Sequence, residues 1–397
     1  MKYINNLTLA LLTISFLIPS VTDASTRYQG EVAGWVPYWV TDSKIKSVIK
    51  HVDEVDILYP FIYEIDVAGH IVSKVDINDG VWEDLLDEAD DNRVDVIPTI
   101  AWFDGPAIHV VLSDKKMRRA LVKEIGDLVD DNNFDGINID FEQKESETID
   151  YFSDFLKELE KELGKDDLTC TIEARTPPES LYKAGKIPNP IMYANDYTAF
   201  NRYCDWVEIM AYDQQRADLK LNEKRKGVPY MPVADIDWVE KVIDLALEDI
   251  DEDKIMLGIP TYGRAWDVTV ASDWYRDYKR VASLDYSRIV ELSEIYNVPI
   301  GRSEGGEAVI TYFPEDSVYK AFNALPTPEG TPKGYEAAAK ALLVATYTGL
   351  EIPVRFVSSG DAVSASDKIK LAEKYDLKGI AFFKFDGEED EDIWDLF

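Results

Sequence analysis

Short apolar segments recur along the chain and alternate with segments whose apolar residues follow a helical period. Residues 115–130, for example, carry Met117, Leu121, Ile125 and Leu128 at helical spacing. This alternation predicts an α/β fold, a closed (β/α)8 TIM barrel rather than an open sheet. The eight predicted strands are 32–39, 55–63, 94–102, 134–142, 168–174, 206–211, 255–260 and 379–385.

One connection is longer than a barrel requires. The segment between Gly263 and Gly379 holds far more residues than a single crossover helix. Within it, residues 308–313 (AVITYF) and 354–357 (VRFV) have the composition of strands. We therefore predict one barrel domain over 27–397, with a small α+β insertion at 267–357 between the seventh and eighth strands. The insertion is expected to raise one wall of the barrel mouth.

The fourth predicted strand, FDGINIDFE at 134–142, has two faces of opposite character. Its even-numbered residues Asn138, Asp140 and Glu142 are polar, and the odd-numbered residues between them are apolar. In a parallel barrel the apolar residues pack on helices and the polar ones point into the C-terminal mouth. Burying unpaired carboxylates costs several kcal/mol or forces them to protonate, so two acids here indicate function rather than packing.

The net negative charge of the chain disfavours some classes of binding partner. It has 76 acidic and 42 basic residues and a formal net charge of -34. Binding to nucleic acid or to an anionic membrane is therefore unfavourable, and a neutral or cationic substrate fits better. The acidity can also serve solubility alone.

Residues 1–24 have the pattern of a secretory signal peptide. Lys2 supplies the positive charge, residues 7–18 are mostly apolar, and small residues stand at Thr22 and Ala24. The apolar run is short for a membrane span, and no Cys follows it to carry a lipid anchor. We therefore expect export, to the extracellular space or the cell envelope, without a membrane anchor.

Cysteine and histidine give no metal-binding pattern. Cys170 and Cys204 fall on neighbouring predicted strands, where a disulfide and two buried thiols are both open. His51, His70 and His109 are scattered without the spacing of ligands. No metal and no cofactor are predicted.

The fourth strand also resembles the signature D-x-x-D-x-D-x-E of glycoside hydrolase family 18, the chitinase-like enzymes. Asp135, Asp140 and Glu142 match its first, third and fourth acids, whereas Asn138 stands at the second. The resemblance implies that Glu142 is the general acid. With an amide at 138, we expect a hydrogen bond from Asn138 to Asp140 that keeps Asp140 ionised.

Other segments are similar to the same family, in the same order along the chain. Residues 210–213 (MAYD) resemble its M-x-Y-D motif, in which the Tyr hydroxyl, here Tyr212, contacts the substrate acetamido group. Residues 257–266 (LGIPTYGRAW) resemble its seventh strand, and 237–240 a helix of its bacterial members. On the last strand, Phe383 stands where the family has Trp as the floor beneath the cleaved sugar.

Candidate substrate-binding residues follow from these matches and from the ends of the predicted strands. Trp35, Tyr38, Trp39, Trp102 and Phe103 suit stacking on sugars, although barrel packing accounts equally well for about half of them. Glu173 and Arg175 either contact substrate or form an ion pair. The predicted substrate-binding set is Tyr38, Trp102, Met210, Asp213, Tyr262, Arg264, Phe383, Glu173 and Arg175, and the predicted catalytic set is Glu142, Asp140, Tyr212 and Asn138.

The spacing of the acids limits the mechanism. Asp140 and Glu142, two apart on one strand, have Cβ atoms about 7 Å apart on one side and cannot flank a sugar. The resemblance therefore implies substrate assistance, in which the acetamido oxygen of N-acetylglucosamine is the nucleophile. Chitin, chitooligosaccharides, peptidoglycan and N-glycan cores all qualify, with a slight preference for cell-wall sugars and an expected monomer. The alternatives are a non-catalytic lectin on the same barrel, or a glycosidase whose nucleophile is Glu173 or Asp213.

Overall fold

The fold is a closed barrel of eight parallel strands. The computed structural model describes residues 27–397, so the predicted signal peptide at 1–24 lies outside the described residues. Each strand pairs with its neighbours, and the first pairs with both the second and the eighth. The barrel strands are Glu31–Pro37, Ile57–Ile65, Thr99–Trp102, Gly136–Phe141, Asp167–Glu173, Trp206–Met210, Ile255–Pro260 and Gly379–Phe383. The predicted (β/α)8 barrel is confirmed.

Helices connect the strands and cover the outside of the barrel. The predicted helix at 115–130 extends over Lys115–Asn132, where the Asp114 carboxylate caps the first turn. The helices are Asp42–Val48, Gly80–Asn92, Gly105–Ser113, Lys115–Asn132, Ile149–Leu163, Pro178–Leu181, Tyr197–Tyr203, Leu219–Lys224, Ile236–Ala246, Tyr286–Tyr296, Glu336–Thr348 and Ala362–Lys374. Two short strands, Ile71–Ser73 and Asp95–Val96, pair with the second barrel strand. In the part of the chain that the structure describes, no helix is long and apolar enough to cross a membrane.

The barrel has an outer and an inner apolar layer. Ile137, Ile139 and Phe141 of the fourth strand belong to the outer layer, which is packed between strands and helices. The inner layer fills the barrel with Trp35, Tyr59, Phe61, Trp206 and Met256, together with smaller residues. The two faces predicted from the alternation at 134–142 are therefore confirmed.

The insertion is a five-stranded antiparallel sheet with a helix on each face. Its strands, in spatial order, are Tyr275–Asp285, Tyr262–Val270, Ile352–Ser359, Ala308–Tyr312 and Gly301–Arg302. Glu336–Thr348 packs on one face and Tyr286–Tyr296 on the other. The sheet extends beyond the predicted bounds 267 and 357 on both sides, because its first strand follows the seventh barrel strand almost directly.

A buried carboxylate fastens the insertion to the barrel. Glu307, in the insertion, accepts hydrogen bonds from the backbone of Val233 (3.2 Å) and Ala234 (2.6 Å), next to a barrel helix. It also accepts one from the Ser358 hydroxyl at 2.5 Å. Its side chain is fully buried, and the buried ammonium of Lys368 supplies positive charge nearby. The two backbone hydrogen bonds, made where water is excluded, join the insertion to the barrel.

The two cysteines form a disulfide. Cys170, on the outer face of the fifth strand, is bonded to Cys204, next to the sixth, with a sulfur–sulfur distance of 2.00 Å. Their Cα atoms are 6.1 Å apart, within the ordinary range for a disulfide. This resolves the two possibilities that the sequence left open.

Candidate active site

A cavity of about 480 Å³ opens at the C-terminal ends of the barrel strands. This is where barrels of this kind carry their functional residues, because loops after several strands meet there. Most of the predicted site residues line it, and three of them, Asn138, Trp102 and Arg175, do not. The predicted residues that line it are Tyr38, Asp140, Glu142, Glu173, Met210, Tyr212, Asp213, Tyr262, Arg264 and Phe383.

Glu142 has the proton affinity that acid catalysis near neutral pH requires. Burial raises the pKa of Glu142 to about 7, and the negative charge of Glu173 adds to the rise. Lys144 opposes this rise and Asp213 adds a smaller contribution to it. A carboxylic acid that keeps its proton up to about pH 7 is able to donate it to a leaving group.

Asp140 is more deeply buried than Glu142 and has an unused acceptor. Its exposed fraction is 5%, and its Oδ1 atom accepts no hydrogen bond from any residue in 27–397. Burial and the neighbouring Glu142 raise the pKa of Asp140 well above its usual value. The expectation that Asn138 donates a hydrogen bond to Asp140 and keeps it ionised is therefore wrong. Asp140 thus lines the cavity and keeps one buried oxygen without a hydrogen-bond donor among the described residues.

Asn138 lies beneath the site and turns its amide away from Asp140. Its nitrogen donates to the Thr169 hydroxyl (2.7 Å) and to the Glu208 carboxylate (2.9 Å). Its oxygen accepts from the hydroxyls of Thr99 (3.0 Å) and Thr171 (3.1 Å). All four hydrogen-bonding positions of the amide are thus occupied, and Asn138 is fully buried. Asn138 was predicted to be catalytic, but its place in the structure is beneath the site, where it supports the residues that line the cavity.

Glu208 is a buried acid that the sequence analysis missed. It accepts hydrogen bonds from Asn138 and from the Tyr59 hydroxyl, which in turn accepts one from Trp206 at 2.8 Å. Burial raises the pKa of Glu208 to about 7. The sequence does contain a sign of this residue. In the sixth strand, WVEIM, one acid interrupts an apolar run, and Glu208 is even-numbered like Tyr212, so the two face the same side of the strand.

Lys144 was also missed, although it follows Glu142 by two residues. It is buried, donates a hydrogen bond to the carbonyl of Phe141, and lies 4.6 Å from the centre of the Phe152 ring. Burial lowers the pKa of Lys144, while Glu173, Asp140 and Glu142 oppose that change. Its positive charge moderates the pKa values of both site acids.

Aromatic rings form the floor of the cavity. The rings of Tyr212 and Phe383 are stacked, with centroids 5.7 Å apart and planes at 24°. Tyr262 and Trp35 meet Phe383 edge-on at 6.2 and 5.9 Å. Burial raises the pKa of Tyr212 well above its usual value, so its hydroxyl remains a hydrogen-bond donor. A floor of this kind suits the apolar face of a sugar ring.

Charged pairs hold the walls of the cavity. Arg264, on the first strand of the insertion, donates to both carboxylate oxygens of Asp213 at 2.9 and 2.7 Å. On another wall, Tyr38 donates to Glu64 at 3.0 Å, and the ammonium of Lys74 binds the second oxygen of Glu64 at 3.0 Å. The bidentate pair fixes Asp213 in place and occupies both of its oxygens.

Two predicted substrate-binding residues lie elsewhere. Trp102 is buried in the outer layer, where its ring meets Phe141 edge-on at 5.4 Å. Its neighbour Phe103 lines the cavity instead. Trp102 lies outside the cavity because it is paired with Phe141 on the neighbouring strand. Side chains of paired residues point to the same face of a sheet, so Trp102 points to the helices, as Phe141 does.

Arg175 is held away from the cavity by two tyrosines. Its guanidinium lies 3.7 and 4.1 Å from the ring centres of Tyr193 and Tyr197, and it donates to the carbonyl of Asn195. Glu173 lines the cavity and accepts a hydrogen bond from Asn195 at 2.7 Å. Among the described residues the two form no ion pair, so Glu173 stays a candidate for substrate contact and Arg175 does not.

The parallel barrel, its acidic mouth and its aromatic floor together define a (β/α)8 barrel of the glycosidase type. The sequence model of the family Glycosyl hydrolases family 18 matches residues 36–388, so the chain belongs to that family. The family resemblance read from the sequence is thereby confirmed.

Known proteins similar to this chain include glycosylases of Bacillus and chitinases. The chain is 28% identical over 254 residues to the "Putative sporulation-specific glycosylase YdhD" of Bacillus subtilis (strain 168), a match covering 61% of this chain and 55% of that protein. It thus spans about half the length of the curated relatives it matches.

Two crystal structures show the same fold. The Bacillus cereus spore cortex-lytic enzyme SleL has a TM-score of 0.68 at 19% identity, over 94% of this chain and 74% of that one. The chitinase of Chromobacterium violaceum ATCC 12472 has a TM-score of 0.67 at 19% identity, over 93% and 98%. At these identities the likeness establishes the fold.

The contact between Asn138 and Glu208 predicts a charge compensation. Asn138→Asp places a second buried carboxyl beside Glu208, and we expect it to lower the free energy of unfolding by about 2 kcal/mol or more at pH 8. The loss should shrink toward pH 5, where the pair regains a proton. Adding Glu208→Gln should restore most of the stability, because one acid again faces one amide.

Thermal unfolding at pH 5 and pH 8 measures this effect. The control is Asn78→Asp, which adds the same charge at an exposed position. A double variant no more stable than Asn138→Asp alone would show that the two side chains are not coupled.

Proposed function

We propose that this chain hydrolyses β-1,4 linkages next to N-acetylglucosamine by a substrate-assisted, retaining mechanism. The observation that carries the proposal is the pair at the end of the fourth strand. Glu142 keeps its proton up to about pH 7, and Asp140 offers a buried oxygen without a donor. The first suits a general acid, and the second suits an acceptor for the N–H of an acetamido group.

In the first step, Glu142 protonates the glycosidic oxygen as the bond to the anomeric carbon breaks. The acetamido oxygen of the same sugar attacks that carbon, forming an oxazolinium ion. Asp140 accepts a hydrogen bond from the amide N–H, which orients the acetamido group for attack, and the Tyr212 hydroxyl donates to the same group. In the second step, Glu142 takes a proton from water, whose oxygen opens the oxazolinium ring, so the anomeric configuration is retained overall.

The contacts of the other cleft acids argue against a nucleophile supplied by the protein. Both oxygens of Asp213 are engaged by Arg264, which lowers their nucleophilicity and fixes their position. Glu173 is engaged by the Asn195 amide and the Gln143 backbone. An acetamido nucleophile requires neither carboxylate to move.

The substrate class follows from the family and from the relatives. Family membership supports chitin or another glycan containing N-acetylglucosamine. Similarity to a spore cortex-lytic enzyme and to a sporulation-specific glycosylase supports a cell-wall glycan, and similarity to a chitinase supports chitin. We favour peptidoglycan-type strands, with chitooligosaccharides as simpler substrates. Export by residues 1–24 stays a prediction.

The first test removes the proposed acid. Glu142→Gln keeps the shape and hydrogen bonding of the side chain but has no transferable proton, so we expect at least about a hundredfold loss of kcat with binding retained. Kinetics on a chitooligosaccharide and calorimetry of its binding measure both quantities. Glu145→Gln, an exposed neighbour, is the control. Turnover of Glu142→Gln near the parent rate would exclude Glu142 as the acid, and a parent that binds without turnover would favour the lectin.

The second test addresses the nucleophile. A thiazoline derived from N-acetylglucosamine mimics the oxazolinium ion, so it should inhibit competitively. The matching glucoside, which lacks the acetamido group, should be cleaved at least about a thousandfold more slowly because it has no internal nucleophile. A covalent sugar found by mass spectrometry on Glu173 or Asp213 would contradict substrate assistance.

The third test concerns pH. A raised pKa keeps Glu142 protonated, so kcat/KM should be maintained below pH about 7 and fall above it. Glu173→Gln removes a negative charge that raises this pKa, so the fall should move to lower pH. The exposed neighbour Glu179, changed to Gln, should leave the profile unchanged. Superimposable profiles for Glu173→Gln and the parent would disprove the coupling between the two acids.

A further inference from the structure

A second cavity, of about 400 Å³, opens beside the active site. We call it the rim cavity and define it by Lys183, Arg216, Lys226, Trp274 and Tyr278, which line it. One loop separates it from the active-site cavity. In that loop Asp213 and Ala217 line the active site, whereas Arg216 lines the rim cavity. The two cavities are therefore neighbours across a few residues.

The rim cavity belongs to the same face of the barrel as the active site. Lys183 lies in the connection after the fifth strand, and Arg216 in that after the sixth. Trp274 and Tyr278 lie on the insertion, which follows the seventh. Since the carboxyl ends of parallel strands all point to one face, connections after three consecutive strands build a single rim. A long ligand in the active site can extend over it.

The charge of the rim cavity is opposite to that of the chain. Three cationic side chains line it against a single acid, Glu223. Lys226 is paired with Glu223, whereas Lys183 and Arg216 take part in no ion pair within residues 27–397. The chain has 76 acidic and 42 basic residues, so a cavity with two unpaired cations differs in charge from the rest of the chain. They leave the cavity able to attract an anion.

Aromatic rings accompany these cations. Trp274, at the tip of the insertion hairpin, has 52% of its surface exposed. The guanidinium of Arg216 lies 5.6 Å from the centre of the Tyr278 ring, which positions it. An exposed indole offers a flat apolar face to a sugar, and a guanidinium offers paired donors to a carboxylate. The combination suits a ligand that has both groups.

We propose that the rim cavity binds the carboxylate-bearing part of an acidic glycan strand while another sugar of the same strand occupies the active site. The role of the rim cavity in substrate choice rests on the proposed function, whereas its binding of a carboxylate-bearing glycan does not. The cations give a strand with carboxylates, such as that of peptidoglycan, an advantage that a neutral chitin chain does not receive. The rim cavity thereby selects between the two substrate classes that the active site accepts.

Binding is measured without turnover, on the full chain carrying Glu142→Gln. The probes are soluble, uncrosslinked peptidoglycan strands and the same strands with their carboxylates converted to methylamides. A neutral chitohexaose is the third probe. Calorimetry compares Glu142→Gln alone with the variant that adds Lys183→Gln and Arg216→Gln. The matched control adds Lys220→Gln, an exposed cation on the adjoining short helix that does not line the cavity.

The acidic strands should bind about tenfold more tightly than the amidated strands. The Lys183→Gln/Arg216→Gln change should abolish that preference, Lys220→Gln should preserve it, and chitohexaose affinity should be the same in all three proteins. Raising the salt concentration should weaken the preference. The inference is overturned if the Lys183→Gln/Arg216→Gln change leaves the preference for acidic strands intact. It is also overturned if that change weakens the binding of chitohexaose as much as it weakens the binding of acidic strands.

Turnover by the parent separates this inference from the proposed function. If the parent cleaves neither strands nor chitohexaose while the binding preference holds, the proposed function fails and the rim cavity stands. If the parent cleaves both but shows no preference for acidic strands in binding, the proposed function stands and the rim cavity is excluded as a carboxylate site.

Discussion

The amide of Asn138 joins four barrel strands directly beneath the site. Its partners come from the third strand (Thr99), the fifth (Thr169 and Thr171) and the sixth (Glu208), and each bond is made where water is excluded. A buried polar network is favourable only when every member is satisfied, and this one leaves the amide no free position. The carboxylates above it depend on that support, because the same strands place Asp140, Glu142 and Glu173 at the mouth.

Burial sets the chemistry at the mouth as much as the identity of the residues does. Glu142 and Glu208 both have pKa values of about 7 because water is largely excluded from them. Lys144 limits the effect, since its charge favours the ionised forms of Asp140 and Glu142. Glu142, which lines the cavity, is thus held near the point of ionisation, which is the condition under which a carboxyl group can both give and take a proton.

The barrel, the two faces of the fourth strand and most of the cleft could be predicted because they depend on local alternation, which the sequence displays directly. The errors concern relations between strands. Trp102 ends a strand as a candidate should, yet its register against Phe141 turns it outward. The partners of Asn138 lie on three other strands, and Arg175 is drawn aside by two tyrosines that follow it about twenty residues later in the same connection. The first hairpin of the insertion was missed because the second of its strands is polar and largely exposed.

The wall that the insertion builds is fastened at several points, among them Glu307 to the barrel and Arg264 to Asp213. Its side chains are therefore ordered before any ligand arrives. The entropy that a mobile lid loses on closing has already been lost during folding, so less of the binding energy is consumed by ordering the protein. For a ligand of the active-site cavity, the rate of departure is then set by the contacts that it breaks rather than by the opening of a gate.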